Sequence, residues 1–434
     1  MWMLVSLLAI ATSLVLVMRQ MRVFGDDRLA RAIVLLIWVR FALTALGEPA
    51  LRTVAAGQSI LALGTFLAVI IVLFLLPLDQ LRRPRLLPFA MMAGVVLLSA
   101  LFNDQIGALL NTGTLWIMFT LIVLLVHRAL QVHGGRAVLG CLLAVFSLPI
   151  GLQLAGFALG RSQVGMDGSV SFIGNYVHEA VFSTVALCAV WLVTIYPWQK
   201  RTWLLWGFAV VMTSMFLANY RTLILACVPS LIATIVVTTR SSGKSRSALP
   251  LFVALALMLA AVPLLQSERF SDLGTAIGQL GNLAKPSQEF TAAEKDLLSA
   301  RLYIGAAYLD QYANADLLRK LIGFGPGADK EVVGTHPHNE FLRMLFETGL
   351  VGLLLWLAII AGLVASAIRR ATPLSLAVLS GGYGALVIGG FGTSFFIRPE
   401  GIIFVALLVA VTWHLTERQP DRRSRPCPQQ AIPQ

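Results

Sequence analysis

Charge is what this chain has least of. Charged residues make up 12% of its 434 positions and hydrophobic residues 58%, whereas a soluble domain carries about 25% charged residues. That balance excludes an ordinary water-soluble globular fold. Cysteine is scarce too, with four in all. Cys141, Cys188 and Cys227 lie inside apolar runs and Cys427 near the end, so no disulfide framework is expected. No H-E-x-x-H, C-x-x-C or Walker loop occurs, and there is no acidic cluster suited to a metal; neither a metal nor a cofactor is expected. No internal repeat is visible.

What is present in abundance is long apolar runs. Thirteen can be drawn: 2–18, 32–47, 58–78, 86–102, 106–126, 137–158, 177–196, 202–218, 222–239, 248–265, 340–368, 373–391 and 400–416. Most approach the roughly 20 residues a bilayer core requires. The first lacks a basic n-region and a small-residue cleavage site, and its arginines follow it, so it is expected to be a retained span. The fold class is therefore an all-α integral membrane protein, a multi-span helical bundle of twelve or thirteen transmembrane helices.

The net charge of +12 invites a nucleic-acid partner, and the placement of the charges argues against one. Twenty basic residues follow alternate spans or lie in the tail, among them Arg19, Arg22, Arg82, Arg83, Arg128, Lys200, Arg240, Arg369 and Arg418. The short loops of the other side hold four: Arg52, Arg161, Arg221 and Arg398. The positive-inside rule then puts the N-terminus outside and the C-terminus in the cytoplasm.

That orientation sends one long segment outside. Residues 1–265 are expected to form the N-terminal part of the bundle, about ten spans. Residues 266–338 form an external loop subdomain, 339–416 the last spans, and 417–434 a disordered cytoplasmic tail. The loop carries seven basic and nine acidic residues and is too long for a connector. Thr291 to Leu321 reads as helix, opened by a Thr291–Glu294 capping box, with an apolar face through Ile304 and Tyr308. Gly323-Phe324-Gly325-Pro326-Gly327 ends it.

The most informative stretch is Thr335–Trp356, THPHNEFLRMLFETGLVGLLLW. His336, His338, Asn339, Arg343 and Glu347 stand at the mouth of a membrane-length apolar run, where polar groups are costly and read as functional. A helix starting near Asn339 places Asn339, Arg343 and Glu347 on one face, with Arg343 and Glu347 able to pair. His338 falls at the helix N-terminus, which favours an anion. Other ionisable groups expected on the same side are Arg221 in ANYRTLILA, Arg301 in LLSARLYIGAAYL, Arg398, and Arg161, Asp167, His178 and Glu179. Arginines converging with a histidine suit a lipid diphosphate: guanidinium presents a planar fork to phosphate oxygens, and histidine can take a proton near neutral pH. Each has a structural alternative: Arg221 reaching headgroups, Arg301 a solvated charge on an amphipathic helix, His338 a cap.

The order of an arginine at a mid-chain span edge, a second on the long external loop, G-F-G-P-G, and then H-x-H-N-x-x-L-x-x-x-x-E-x-G-x-x-G resembles the bacterial O-antigen ligase and O-antigen polymerase superfamily. The motifs cover roughly residues 160–360. The resemblance implies a periplasmic, metal-independent glycosyl transfer in the bacterial inner membrane. The donor is a glycan on undecaprenyl diphosphate. The acceptor is a sugar hydroxyl, on lipid A–core for a ligase or on another lipid-linked repeat unit for a polymerase. It also implies that His338, Arg221 and Arg301 match the family's essential histidine and arginines. His336, Asn339, Arg343, Arg398, Arg161 and His178 stand as substrate-binding candidates, and membrane lipids as surroundings. Two other function classes stay open: a lipid-linked glycan transporter, which Arg40 inside the second run keeps in play, and a non-catalytic assembly protein. A transporter predicts repeats and midplane charges; neither alternative requires a histidine and arginines gathered on one face.

Overall fold

A chain this apolar has to satisfy its backbone N–H and C=O groups within its own segments, and helices do so. The computed structural model describes residues 1–55, 57–165, 169–240, 285–296 and 300–417. Over these the protein is all-α apart from two small antiparallel hairpins, Thr53–Ala55 with Gln58–Ser59 and Gln163–Val164 with Val170–Ser171. Among the described residues, eight helices are long and apolar enough to cross a membrane, and Ile60–Leu75 and Glu179–Ile195 are shorter apolar ones. Each of the twelve expected spans that falls on described residues is helical; the run 248–265 lies outside them.

The spans at 106–126 and 137–158 form one element, Ile106–Ala158, broken by a non-helical Gly134. The run 222–239 is split into Arg221–Ala226 and Val228–Arg240. The expected single helix over Thr291–Leu321 is corrected to shorter pieces. The Thr291–Glu294 capping box forms, Glu294 N donating to Thr291 Oγ1 and Thr291 N to Glu294 Oε2. Ala300 then turns left-handed, and Arg301–Ala313 and Leu317–Ile322 follow. Asp316 accepts from Arg319 N at 2.9 Å, so a new helix starts where the sequence suggested continuation.

The last helix, Pro399–Thr416, is the axis of the bundle. Every residue from Glu400 to Trp413 is buried, and the helix packs along Ile106–Ala158, Glu179–Ile195, Glu340–Arg370 and Pro373–Gly390. Helices at the rim instead expose large apolar side chains such as Leu8, Val15, Phe74 and Leu110, the surface a lipid environment covers. At the arginine-rich end, Asp27 caps Arg28–Ala45 and holds Arg128 at 2.7 Å and His133 at 2.9 Å. At the opposite end the buried axis delivers Arg398 and Glu400 to the middle of the bundle mouth.

Candidate functional site

The site is built around a break in Glu340–Arg370. Gly349 has φ 67 and ψ −171 inside that helix, a conformation essentially restricted to glycine. The break frees the carbonyls of the preceding turn, and the G-F-G-P-G loop takes them up. Phe324 N donates to Phe346 O at 2.8 Å, Gly325 N to Glu347 O at 3.2 Å, and Ser99 Oγ to Glu347 O at 2.6 Å. The approach is close on both sides. A Cβ on Gly323 would lie 2.4 Å from the Glu347 carbonyl carbon, and one on Gly349 2.3 Å from that of Leu321. Phe324 stacks on Phe346 at 4.3 Å, with Tyr308 edge-on to Phe346 at 4.7 Å. The loop helix Arg301–Ala313 thus rests its apolar face on the bundle.

A buried row of charges runs along the same turns. Arg343, 5% exposed, bonds Glu347 and, at 2.6 Å, Glu340. Glu347 Oε1 accepts from Gly327 N and Glu340 Oε2 from Phe396 N. Arg343 therefore braces the loop before His336 against the loop before Arg398, with its charge met by two carboxylates. Asn339 is the cap: its Oδ1 accepts from Phe341 N and Leu342 N at 3.0 Å. The N-terminal N–H groups expected to meet an anion are met by Asn339, and His338, with φ 48, turns out of the helix.

His338 faces a small cavity lined by His178, His336, Ser394, Arg398 and Glu400. Its ring stacks against His178 at 6.4 Å between centroids. Burial, then the fields of Arg301, His178, His336 and Arg398, lower its pKa to about 4, so the imidazole is neutral at pH 7. His336 is bonded through Nδ1 to the buried Asp329. His178 caps Glu179–Ile195, its Nδ1 accepting from Ala180 N at 3.1 Å, which leaves the proton of the neutral ring on Nε2. Burial also lowers the pKa of His178.

Arg301 is not a solvated charge. Its Nη1 donates to Thr222 Oγ1 at 2.7 Å and its Nη2 to the Tyr220 hydroxyl at 2.9 Å, with the guanidinium over the Tyr220 ring. Arg221 lies between those two residues and opens the helix Arg221–Ala226. The Tyr220 hydroxyl in turn donates to Gly392 O, in the loop that carries Arg398. The structure thus gathers Arg301, His338, His336, His178 and Arg398, with Arg221 beside them. Arg161 stands apart, its guanidinium 4.5 Å from the Trp2 ring.

Sequence reading missed Tyr220, Thr222, Asp329 and Glu400. Tyr220 and Thr222 flank Arg221 without any charge to mark them. Glu400 did carry a signal: an acid at the head of one apolar run and Arg40 inside another are natural partners. Arg40 Nη2 lies 2.8 Å from Glu400 Oε1. Among the described residues no three His, Cys, Asp or Glu side chains gather as a metal site.

A family model described as O-antigen ligase matches residues 212–357. That stretch, a third of the chain, contains Arg221, Arg301, His336, His338 and the Gly349 break. No curated protein matches the chain.

Proposed function

We propose, for this member of the O-antigen ligase/polymerase superfamily, a transfer of glycan from undecaprenyl diphosphate to a saccharide hydroxyl at the periplasmic face of the bacterial inner membrane, with lipid A–core as acceptor. The observation that carries the reading is His338 facing one cavity with His178, His336 and Arg398, where burial and the fields of Arg301 and Arg398 keep it neutral. In this reading the arginines hold the diphosphate. Among the described residues, Tyr220 and Thr222 use two of the five N–H donors of Arg301, which leaves three for phosphate oxygens. As the bond from the sugar C1 to the phosphate oxygen breaks, charge develops on the leaving diphosphate, and guanidinium groups already in position stabilise it. They do the neutralising that a divalent cation does elsewhere.

His338 takes the proton of the acceptor hydroxyl as its oxygen bonds to C1. A histidine ionising near pH 4 is a weak base. The donor's negative charge offsets the field of the same arginines that depress it, so donor binding raises its proton affinity. Arg40, which kept a transporter in play, is engaged in its pair with Glu400.

The test is transfer by purified protein from an undecaprenyl-diphosphate glycan, in EDTA and in magnesium, with lipid A–core or a second lipid-linked unit as acceptor. Activity in EDTA that disappears in His338→Ala is expected. A well-folded His338→Ala protein that transfers normally defeats the reading, and preference for the second lipid-linked unit makes the protein a polymerase.

A further inference from the structure

Behind Arg398 lies a second cavity, of about 150 Å³, under the turn Glu48–Leu51. It shares Val181, Arg398 and Glu400 with the cavity at His338. That first cavity, about 20 Å³, has room for roughly one water. The larger space is therefore on the far side of Arg398. Its other polar walls come from Arg40, Thr44, Asn175 and Tyr176, over an apolar floor that includes Leu51 and Leu61.

Two polar atoms on residues of this wall are buried without a hydrogen-bond partner among the described residues: Oε2 of Glu400 and the hydroxyl of Tyr176. Their side chains are on residues only 2% and 4% exposed. Buried polar groups in folded proteins are almost always paired, so each exception calls for an occupant. The occupant's chemistry follows from what the wall offers. Arg40 and Glu400 cancel each other's charge at 2.8 Å. Thr44 gives its proton to the Arg40 carbonyl at 3.0 Å, which leaves its oxygen as an acceptor. A donor hydroxyl, a carboxylate oxygen and a threonine oxygen above aliphatic side chains suit a neutral ring bearing hydroxyls. With Arg398 committed to the diphosphate, they do not suit a second phosphate.

We propose that this cavity is the sugar subsite next to the scissile bond, with Tyr176 and Glu400 hydrogen-bonded to ring hydroxyls and Arg398 dividing sugar from diphosphate. The assignment rests on the transfer reading above. The ring is either the first sugar of the donor or the terminal sugar of the acceptor; both offer the same hydroxyls.

Tyr176→Phe decides the matter, because it removes a hydroxyl that has no partner among the described residues and leaves folding intact. One hydrogen bond lost to the sugar raises KM about two- to tenfold. Val177→Trp, at a position 66% exposed on the cavity lip, is expected to raise the same KM by obstructing access. Transfer by the purified full chain is measured while donor and acceptor are varied separately. A rise confined to the donor KM assigns the donor's first sugar, and one confined to the acceptor KM assigns the acceptor. Tyr176→Phe with both values unchanged overturns the subsite and leaves water as the occupant, whatever Val177→Trp does. His338→Ala in the same assay reports separately on the transfer reading.

Discussion

Arg301 and Tyr220, 81 positions apart in the chain, are joined by a hydrogen bond of 2.9 Å from Nη2 to the phenol oxygen. The bond ties the loop helix to the residue before Arg221, so the two arginines that the sequence separates share one support. It also sets the direction of the guanidinium. A cation steered this way acts by orientation as well as by charge.

Arg301→Lys should therefore fail to restore transfer, because an ammonium keeps the charge and loses the fork. Losing one donor to a developing oxyanion costs about 100- to 1000-fold in rate. Steady-state transfer by the purified variant checks this; a Lys protein as active as wild type means that point charge is enough.

The pH dependence of kcat/KM should have its acid limb near pH 4 instead of the ordinary histidine value of 6.5. The sign follows from His338 acting as a base. Burial and neighbouring cations lower its pKa, so the active neutral form persists as pH falls. Once donor is bound the limb moves up, and the kcat profile should turn down at higher pH than kcat/KM. Arg398→Gln removes one of the depressing charges and should raise the limb of the free enzyme. Coincident limbs near 6.5 in both profiles count against this arrangement.

Arg343→Met should cost stability before it costs catalysis. It leaves Glu340 and Glu347 buried without their cation, and breaking a buried network from one side typically costs about 3–5 kcal/mol. Thermal unfolding in detergent reads the loss. A variant as stable as wild type with raised KM would return Arg343 to the substrate.

Gly349→Ala should be worse than its size suggests. The backbone conformation alone costs about 1–3 kcal/mol for a residue with a Cβ, and that Cβ would meet the Leu321 backbone. Loss of folded protein on size exclusion is the expected result, and Gly362→Ala, in open space on the same helix, is the matched control.

Orientation is checked by single cysteines. A membrane-impermeant thiol reagent applied to intact cells should reach a cysteine placed at Lys285 and miss one at Ser242, as the distribution of basic residues predicts. The reverse labelling pattern removes the periplasmic reading.

The helical bundle was legible because span-length apolar runs leave few alternatives, and the Arg343–Glu347 pair because residues four apart share a helix face. The purpose of G-F-G-P-G and of Gly349 was not legible separately. Each conformation is explained only by the other, across backbone hydrogen bonds that no local pattern announces. The cap that Asn339 Oδ1 forms on Phe341 N and Leu342 N was likewise not read from the sequence. The solvated alternative for Arg301 stayed open in the sequence because its partners, Tyr220 and Thr222, lie on a different element.

The central position of Pro399–Thr416 has a consequence for how the protein is made. Arg40 and Glu400 are 360 residues apart, and at ~5–20 residues per second the ribosome delivers Glu400 about 20–70 s after Arg40. Over that interval the arginine has entered the nascent bundle and its native counter-ion does not yet exist. The bundle mouth cannot be complete before this last helix has been made. Nascent chains halted before residue 400 thus have neither the Arg40 partner nor the completed site, which makes synthesis itself the step that keeps an unfinished enzyme inactive.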